Sequence, residues 1–133
     1  MHKIISVRVV NAFENKLLNV HYSILPAFAG TIGMDTVENA IKRGCKVLGS
    51  SCHLVTSELD GGPILCQSTF PFENQEDVYN DVFRTGALSL LSGVLQQTKS
   101  IKGVFTFKNL QVNPLFDIES QVLLEVFNKL YSI

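Results

Sequence analysis

Lys16-Leu17-Leu18-Asn19-Val20-His21-Tyr22-Ser23-Ile24-Leu25-Pro26-Ala27-Phe28-Ala29-Gly30 begins as a hydrophobic run and then presents a carboxamide, an imidazole and a hydroxyl at Asn19, His21 and Ser23. A strand alternates its faces with period two, so these three polar groups would point the same way. Burying such groups without partners costs about 1–3 kcal/mol each. The pattern therefore predicts a strand over Lys16–His21 whose polar end opens onto a crevice. Tyr22 to Gly33, with Pro26, Gly30 and Gly33, reads as the loop that follows.

Outward from this stretch, His2 to Ser6 is β-prone and Val7 to Glu14 reads as a single helix or turn. A helix is predicted from about Met34 to Arg43, with Val37, Ala40 and Ile41 as its apolar stripe. Asp35 followed by Glu38 resembles a capping box, and Gly44 is placed to stop the helix. Lys46–Val55 and Ile64–Phe70 read as strands flanking a turn, Thr56 to Gly62, that carries Glu58 and Asp60. The longest helix is expected from Gln75 to about Lys99, capped by Asn74 and facing inward through Val78, Val82, Phe83, Leu88, Leu91, Val94 and Leu95. Val104–Val112 alternates weakly as a strand, and Ile118–Tyr131 is amphipathic through Val122, Leu123, Val126, Phe127 and Leu130. Strands interleaved with helices imply an α/β layer fold. The first two strands are expected to be parallel and the pair around Asp60 antiparallel, which would make the sheet mixed.

The 133 residues suit one domain with a modest core. Hydrophobic residues are 46%, charged ones 17% and the net charge is −1, a balance that disfavours disorder and gives no basic surface for nucleic acid. No apolar run approaches the roughly 18 residues of a membrane span, and the N-terminus has no charged segment leading into a long hydrophobic one. A cytoplasmic protein is expected. Cys45, Cys52 and Cys66 lack metal-like spacing and fit reduced thiols better than a disulfide framework. His2, His21 and His53 form no metal motif either, so no metal is expected.

His21 alone reads as an ordinary core histidine, and Asp60-Gly61-Gly62-Pro63 alone as an ordinary turn. Their combination points to chemistry. Asn19 supplies an N–H donor on the face of His21, suited to polarising a carbonyl or holding an oxyanion. His21 can supply or relay a proton near neutral pH. A carboxylate at Asp60 beside it would favour the imidazolium and make it a usable acid, while the small residues of the turn let backbone approach a ligand closely.

Taken together, Asn19-x-His21-x-Ser23-x-Leu25-Pro26-x3-Gly30 followed by Leu59-Asp60-Gly61-Gly62-Pro63 resembles the folate-dependent formyltransferase family, close to the members that formylate glycinamide ribonucleotide in purine synthesis. Formyltetrahydrofolate hydrolases and sugar-amine formyltransferases share that core. The resemblance implies a three-layer, Rossmann-like α/β fold with a mixed sheet, formed as a single partial domain over 1–133. Its motif-bearing core covers about 3–95, and a C-terminal strand and helix follow at about 102–131. It also implies formyl transfer from formyltetrahydrofolate to an amine. In that reading Asn19 binds the formyl oxygen, His21 acts as general acid or proton relay, and Asp60 tunes His21 and positions a water. The folate would contact backbone at Lys3, Ile4 and Ile5, an apolar side chain at Val10, and the loop Thr56, Ser57, Glu58, Leu59 and Asp60. His53 resembles the strand leading to the catalytic Asp, and packing in that strand is an equal explanation of it.

The sequence departs from the family in three places. No Gly-rich phosphate loop is found, so the N-terminal half of the usual domain is expected to be missing. Tyr22 stands where Pro is commoner, and no acidic residue stands near Gly86 to hold a ribonucleotide. A sheet truncated in this way should expose an edge, which predicts self-association or a partner chain covering it. Three functions remain: transfer to an amine, hydrolysis of formyltetrahydrofolate, and an inactive folate-binding or interaction module.

Overall fold

The structure, a computed structural model, describes residues 4–97, 105–107 and 110–113. A short helix α1 (Val7–Ala12) leads into strand β1 (Leu18–His21), helix α2 (Asp35–Lys42), strands β2 (Val47–Leu54) and β3 (Ile64–Pro71), the long helix α3 (Val78–Gln97), and strands β4 (Phe105–Phe107) and β5 (Leu110–Asn113). The strands form one sheet in the order β1-β2-β3-β5-β4.

Every pairing among the described residues is antiparallel, with Asn19 opposite His53, Cys52 opposite Cys66 and Ser68 opposite Val112. Among the described residues the sheet is therefore antiparallel, without the parallel pair expected of the first two strands. Residues 4–6 carry no strand and Met1, His2 and Lys3 lie outside the described residues, so no parallel neighbour of β1 is among them. The antiparallel pair around Asp60 is as expected, because the connection is too short for a crossover. The single strand expected over Val104–Val112 is instead a hairpin, β4 and β5, whose weak alternation came from two strands read as one. The amphipathic segment Ile118–Tyr131 lies outside the described residues.

Period two sorts β2 cleanly. Leu48, Ser50, Cys52 and Leu54 face one way, where Ser50 donates to the carbonyl of Val82 in α3; Ser51 and His53 face the other. Both long helices cover the first face, and Val37, Ala40, Leu48, Cys52, Cys66, Phe70, Val78, Val82 and Leu88 form the core between them and the sheet. On the opposite face, Leu25 of the loop after β1 donates its backbone N–H to Ser51 Oγ at 2.9 Å, and Gln67 Nε2 donates to the Leu25 carbonyl at 2.9 Å.

Helix α2 buries Val37 and Ala40 as its spacing predicts, and Gly44 ends it at φ +73°. The capping box does not form. Met34 is the N-cap, and Asp35 and Glu38 lie in the first turn as helix-dipole partners, while Thr36 Oγ1 anchors the helix start by donating to the carbonyls of Tyr22 and Gly33. Helix α3 also starts later than expected. Asn74 sits at φ +72° in the approach to it, and the helix begins at Val78.

The buried face of α3 matches the expected apolar positions only in part, at Val78, Val82 and Leu88. It comprises Val78, Val82, Thr85, Gly86, Leu88, Ser89, Ser92 and Gly93, while Phe83 and Val94 are exposed. Small residues bring this helix close to the sheet: a Cβ on Gly93 would lie 2.5 Å from Cys52 Sγ, and one on Gly86 would lie 2.8 Å from the Tyr22 ring. The hydroxyls caught in that tight interface are all partnered, Ser50 with Thr85 at 2.9 Å and Ser89 with Ser68 at 2.9 Å and with the Ser50 carbonyl at 3.1 Å. Tyr22 stacks on Phe83 with ring centroids 6.3 Å apart.

Candidate active site

Strand β1 ends at His21, and the end of β2 ends one residue past His53, so pairing brings Asn19 and His53 side by side at the rim of the sheet. The turn after β2 then carries Asp60 back over both. Asp60 takes φ +52°, a conformation that Asp tolerates better than most residues, and its carboxylate is nearly enclosed. One oxygen, Oδ2, accepts the backbone N–H of Gly30 at 2.8 Å and lies 3.5 Å from His21 Nδ1; the other, Oδ1, lies 3.7 Å from His53 Nε2. Asp60 thus sits between two histidines. The Gly61-Gly62 pair serves this turn differently from expectation. A side chain at Gly62 would collide with the carbonyl oxygen of Leu54, so the close approach it permits is to the chain's own backbone.

The second ring nitrogen of His21, Nε2, is 3.0 Å from the carbonyl of Phe28. Both of its nitrogens therefore face acceptors, and the protonated ring can donate to each. At 3.5 Å the Nδ1 contact to Asp60 is longer than the roughly 2.7–2.9 Å of a tight charge-assisted hydrogen bond. Asn19 is exposed to the cleft, and its Nδ2 lies 3.2 Å from His53 Nε2.

Ser23 does not join these groups. The strand has already ended at His21, so the alternation that would aim Ser23 into the crevice is broken. Its hydroxyl donates to the Ala27 carbonyl at 2.5 Å, and its carbonyl accepts from Ser51 Oγ at 2.8 Å. Ser51 and Gln67 pin the loop through these contacts, and the pinned loop delivers the Phe28 carbonyl and the Gly30 N–H to the site.

Asn19, His21, His53 and Asp60 line one end of a cleft of about 480 Å³. Its remaining walls include Ile4, Ile5 and Val10 from the N-terminal segment and Thr56, Ser57, Glu58 and Leu59 from the turn, so these eleven residues share a single surface. Lys3 lies outside the described residues. Val7, Thr31, Ile32, Gly33 and Val55 also line the cleft and had no motif to mark them. His53 is the one polar group that the sequence left undecided; its period-two partner Ser51 was the signal that both belong to the site's face of β2. Ile4, Ile5 and Val10 make one wall of the cleft apolar, while the Thr56–Glu58 wall and the end formed by Asn19, His21, His53 and Asp60 are polar. Among the described residues, no group of three or more His, Cys, Asp or Glu side chains is arranged to hold a metal ion, and no helix is long and apolar enough to cross a membrane.

The formyl transferase family model matches residues 1–92. A formyltetrahydrofolate deformylase of Haemophilus influenzae is 36% identical over 78 residues, which is 59% of this chain and 26% of that protein. The phosphoribosylglycinamide formyltransferase of Escherichia coli is 35% identical over 79 residues, covering 57% of this chain and 36% of that protein. Among solved structures, a phosphoribosylglycinamide formyltransferase from Anaplasma phagocytophilum superposes with a TM-score of 0.65 at 30% identity, over 76% of this chain and 49% of that one. A formyltetrahydrofolate deformylase from Pseudomonas syringae superposes with a TM-score of 0.64 at 28% identity, over 86% and 37%. The chain thus matches about a quarter to a third of the length of these curated relatives.

Proposed function

This chain belongs to the formyl transferase family, and from that premise we propose that its cleft binds formyltetrahydrofolate and directs the formyl group to an amine, glycinamide ribonucleotide first among candidates. The observation that carries the reading is the single cleft end shared by Asn19, His21 and Asp60, with the Thr56–Asp60 turn along its wall. In this account Asn19 donates an N–H to the formyl oxygen as negative charge develops there. His21 moves the proton: the amine nitrogen bonds to the formyl carbon, the carbon–nitrogen bond to the folate breaks, and the proton lost by the amine reaches the departing folate nitrogen. Asp60 holds the protonated form of His21 and positions a water. Ile4, Ile5 and Val10 pack on the flat folate ring, and backbone between Thr56 and Asp60 hydrogen-bonds its edge.

A second reading, hydrolysis of formyltetrahydrofolate, is favoured by the deformylases among the relatives at 34–36% identity. Water replaces the amine, and the same three residues serve. The purine-synthesis assignment depends on the first reading. A cytoplasmic location agrees with three cysteines carried as thiols.

We also propose that a second polypeptide, another copy or a partner chain, covers the outer edge of β1, which among the described residues pairs only on its β2 side. Gel filtration giving a monomer with no bound partner would count against it.

Incubating the chain with formyltetrahydrofolate, with and without glycinamide ribonucleotide, tests the chemistry. Tetrahydrofolate released only with the amine supports transfer, and release in both supports hydrolysis. Saturable folate binding with no release in either selects the inactive binding module.

A further inference from the structure

We propose that His53 is a positioning residue that fixes which way the Asn19 carboxamide faces. The inference rests on the reading of Asn19 as the donor to the formyl oxygen. His53 is 2% exposed, and each of its ring nitrogens has an assigned neighbour. Nδ1 lies 2.9 Å from the Leu54 carbonyl, an atom that can only accept, so Nδ1 carries a proton. In the neutral ring Nε2 is then an acceptor, and the group 3.2 Å from it is Asn19 Nδ2. One of the two Asn19 N–H bonds is thereby committed to His53, and the other is held at a fixed angle toward the cleft that both residues line. With the opposite tautomer, Nε2–H would attract the Asn19 carbonyl oxygen instead and turn the carboxamide around.

Three features of the chain converge on this tautomer. Gly62 admits no side chain because it lies against the Leu54 carbonyl oxygen, so the turn and the His53 acceptor are built together. The backbone N–H of Val55, which shares a peptide with the Leu54 carbonyl, donates to the Leu17 carbonyl at 2.9 Å and holds that peptide in place. Asp60 Oδ1 stands off at 3.7 Å from Nε2, too far to hold a proton there by a hydrogen bond. His53 therefore acts through Asn19 and has no direct part in moving a proton.

The test is spectroscopic and independent of turnover. Long-range proton–nitrogen correlation on histidine-labelled protein at neutral pH should show His53 protonated at Nδ1 and bare at Nε2, with one Asn19 side-chain proton exchanging slowly. His53→Gln, which keeps an acceptor near the Nε2 position, should retain that slow proton; His53→Asn, which keeps only the group near Leu54, should lose it. If the chain turns over formyltetrahydrofolate, His53→Asn should lower kcat on the order of ten- to a hundredfold at unchanged KM, and His53→Gln should restore most of it. An Nε2–H tautomer or an imidazolium in the wild-type protein overturns the proposal whether or not the variants fold. Failure to bind folate, with the Nδ1–H tautomer and slow Asn19 proton present, would instead remove the formyl-transfer reading and leave the positioning contact standing.

Discussion

The Asp60 carboxylate accepts the backbone N–H of Gly30 at 2.8 Å, so the two loops that carry the sequence motif are latched to each other by the residue proposed to serve the chemistry. Latch and charge are separable. Asp60→Asn keeps an oxygen to accept from Gly30 but removes the charge facing His21 and His53, and should lower turnover on the order of a hundredfold while the thermal midpoint stays near wild type. Asp60→Ala should lose the activity and in addition about 1 kcal/mol of stability. Kinetics and thermal melts on both variants check this; an active Asp60→Asn would contradict the proposed role.

His21→Ala should reduce turnover by a similar factor and leave the secondary structure intact, as read by circular dichroism. The ring contributes one loop contact, to the Phe28 carbonyl, and Ser51 and Gln67 hold the same loop independently.

Gly93→Ala should destabilise the protein by about 1–3 kcal/mol, because the new methyl meets Cys52 Sγ at 2.5 Å in the tightest part of the α3 interface. Adding Cys52→Ala removes that sulfur and should recover part of the loss. Denaturant melts of the two single variants and the double variant measure the coupling; strict additivity would mean that the helix does not approach β2 this closely.

Burial, reinforced by the neighbouring Cys66 thiol, pushes the Cys52 thiol up to about 12. It stays protonated throughout the neutral range, and the thiolate is the reactive form. A thiol reagent at pH 8 should therefore label the half-buried Cys45 well before Cys52, as followed by mass spectrometry of the native protein. Equal rates would show that the sheet opens readily under α3.

The elements facing the site were legible because a short apolar strand ending in Asn19-x-His21 and a Gly-Gly turn leave little choice of local structure. The helix α2 was equally plain, since Val37 and Ala40 repeat at helical spacing. The face of α3 was not. Hydrophobic periodicity picks out Phe83 and Val94, but a helix drawn tight against a sheet buries Gly86, Ser89, Ser92 and Gly93, whose small size is a packing signal that hydropathy does not register. Strand direction was likewise hidden, because direction depends on which strands become neighbours, and β1 lies beside β2. Within the site, Asn19, His21 and Asp60 were marked by motif. His53 was ambiguous because one histidine inside a strand looks the same whether it packs or orients a neighbour, and only its distances to Asn19 and Asp60 distinguish the two.

The central claim is that this cleft is a folate site, and titration of isotope-labelled protein with a non-reactive formyltetrahydrofolate analogue tests it most directly. The account predicts saturable one-to-one binding with backbone shifts concentrated at Ile4, Ile5, Val10 and Thr56 to Asp60 and side-chain shifts at Asn19 and His21. No saturable binding, or shifts confined to residues away from that cleft, would contradict it.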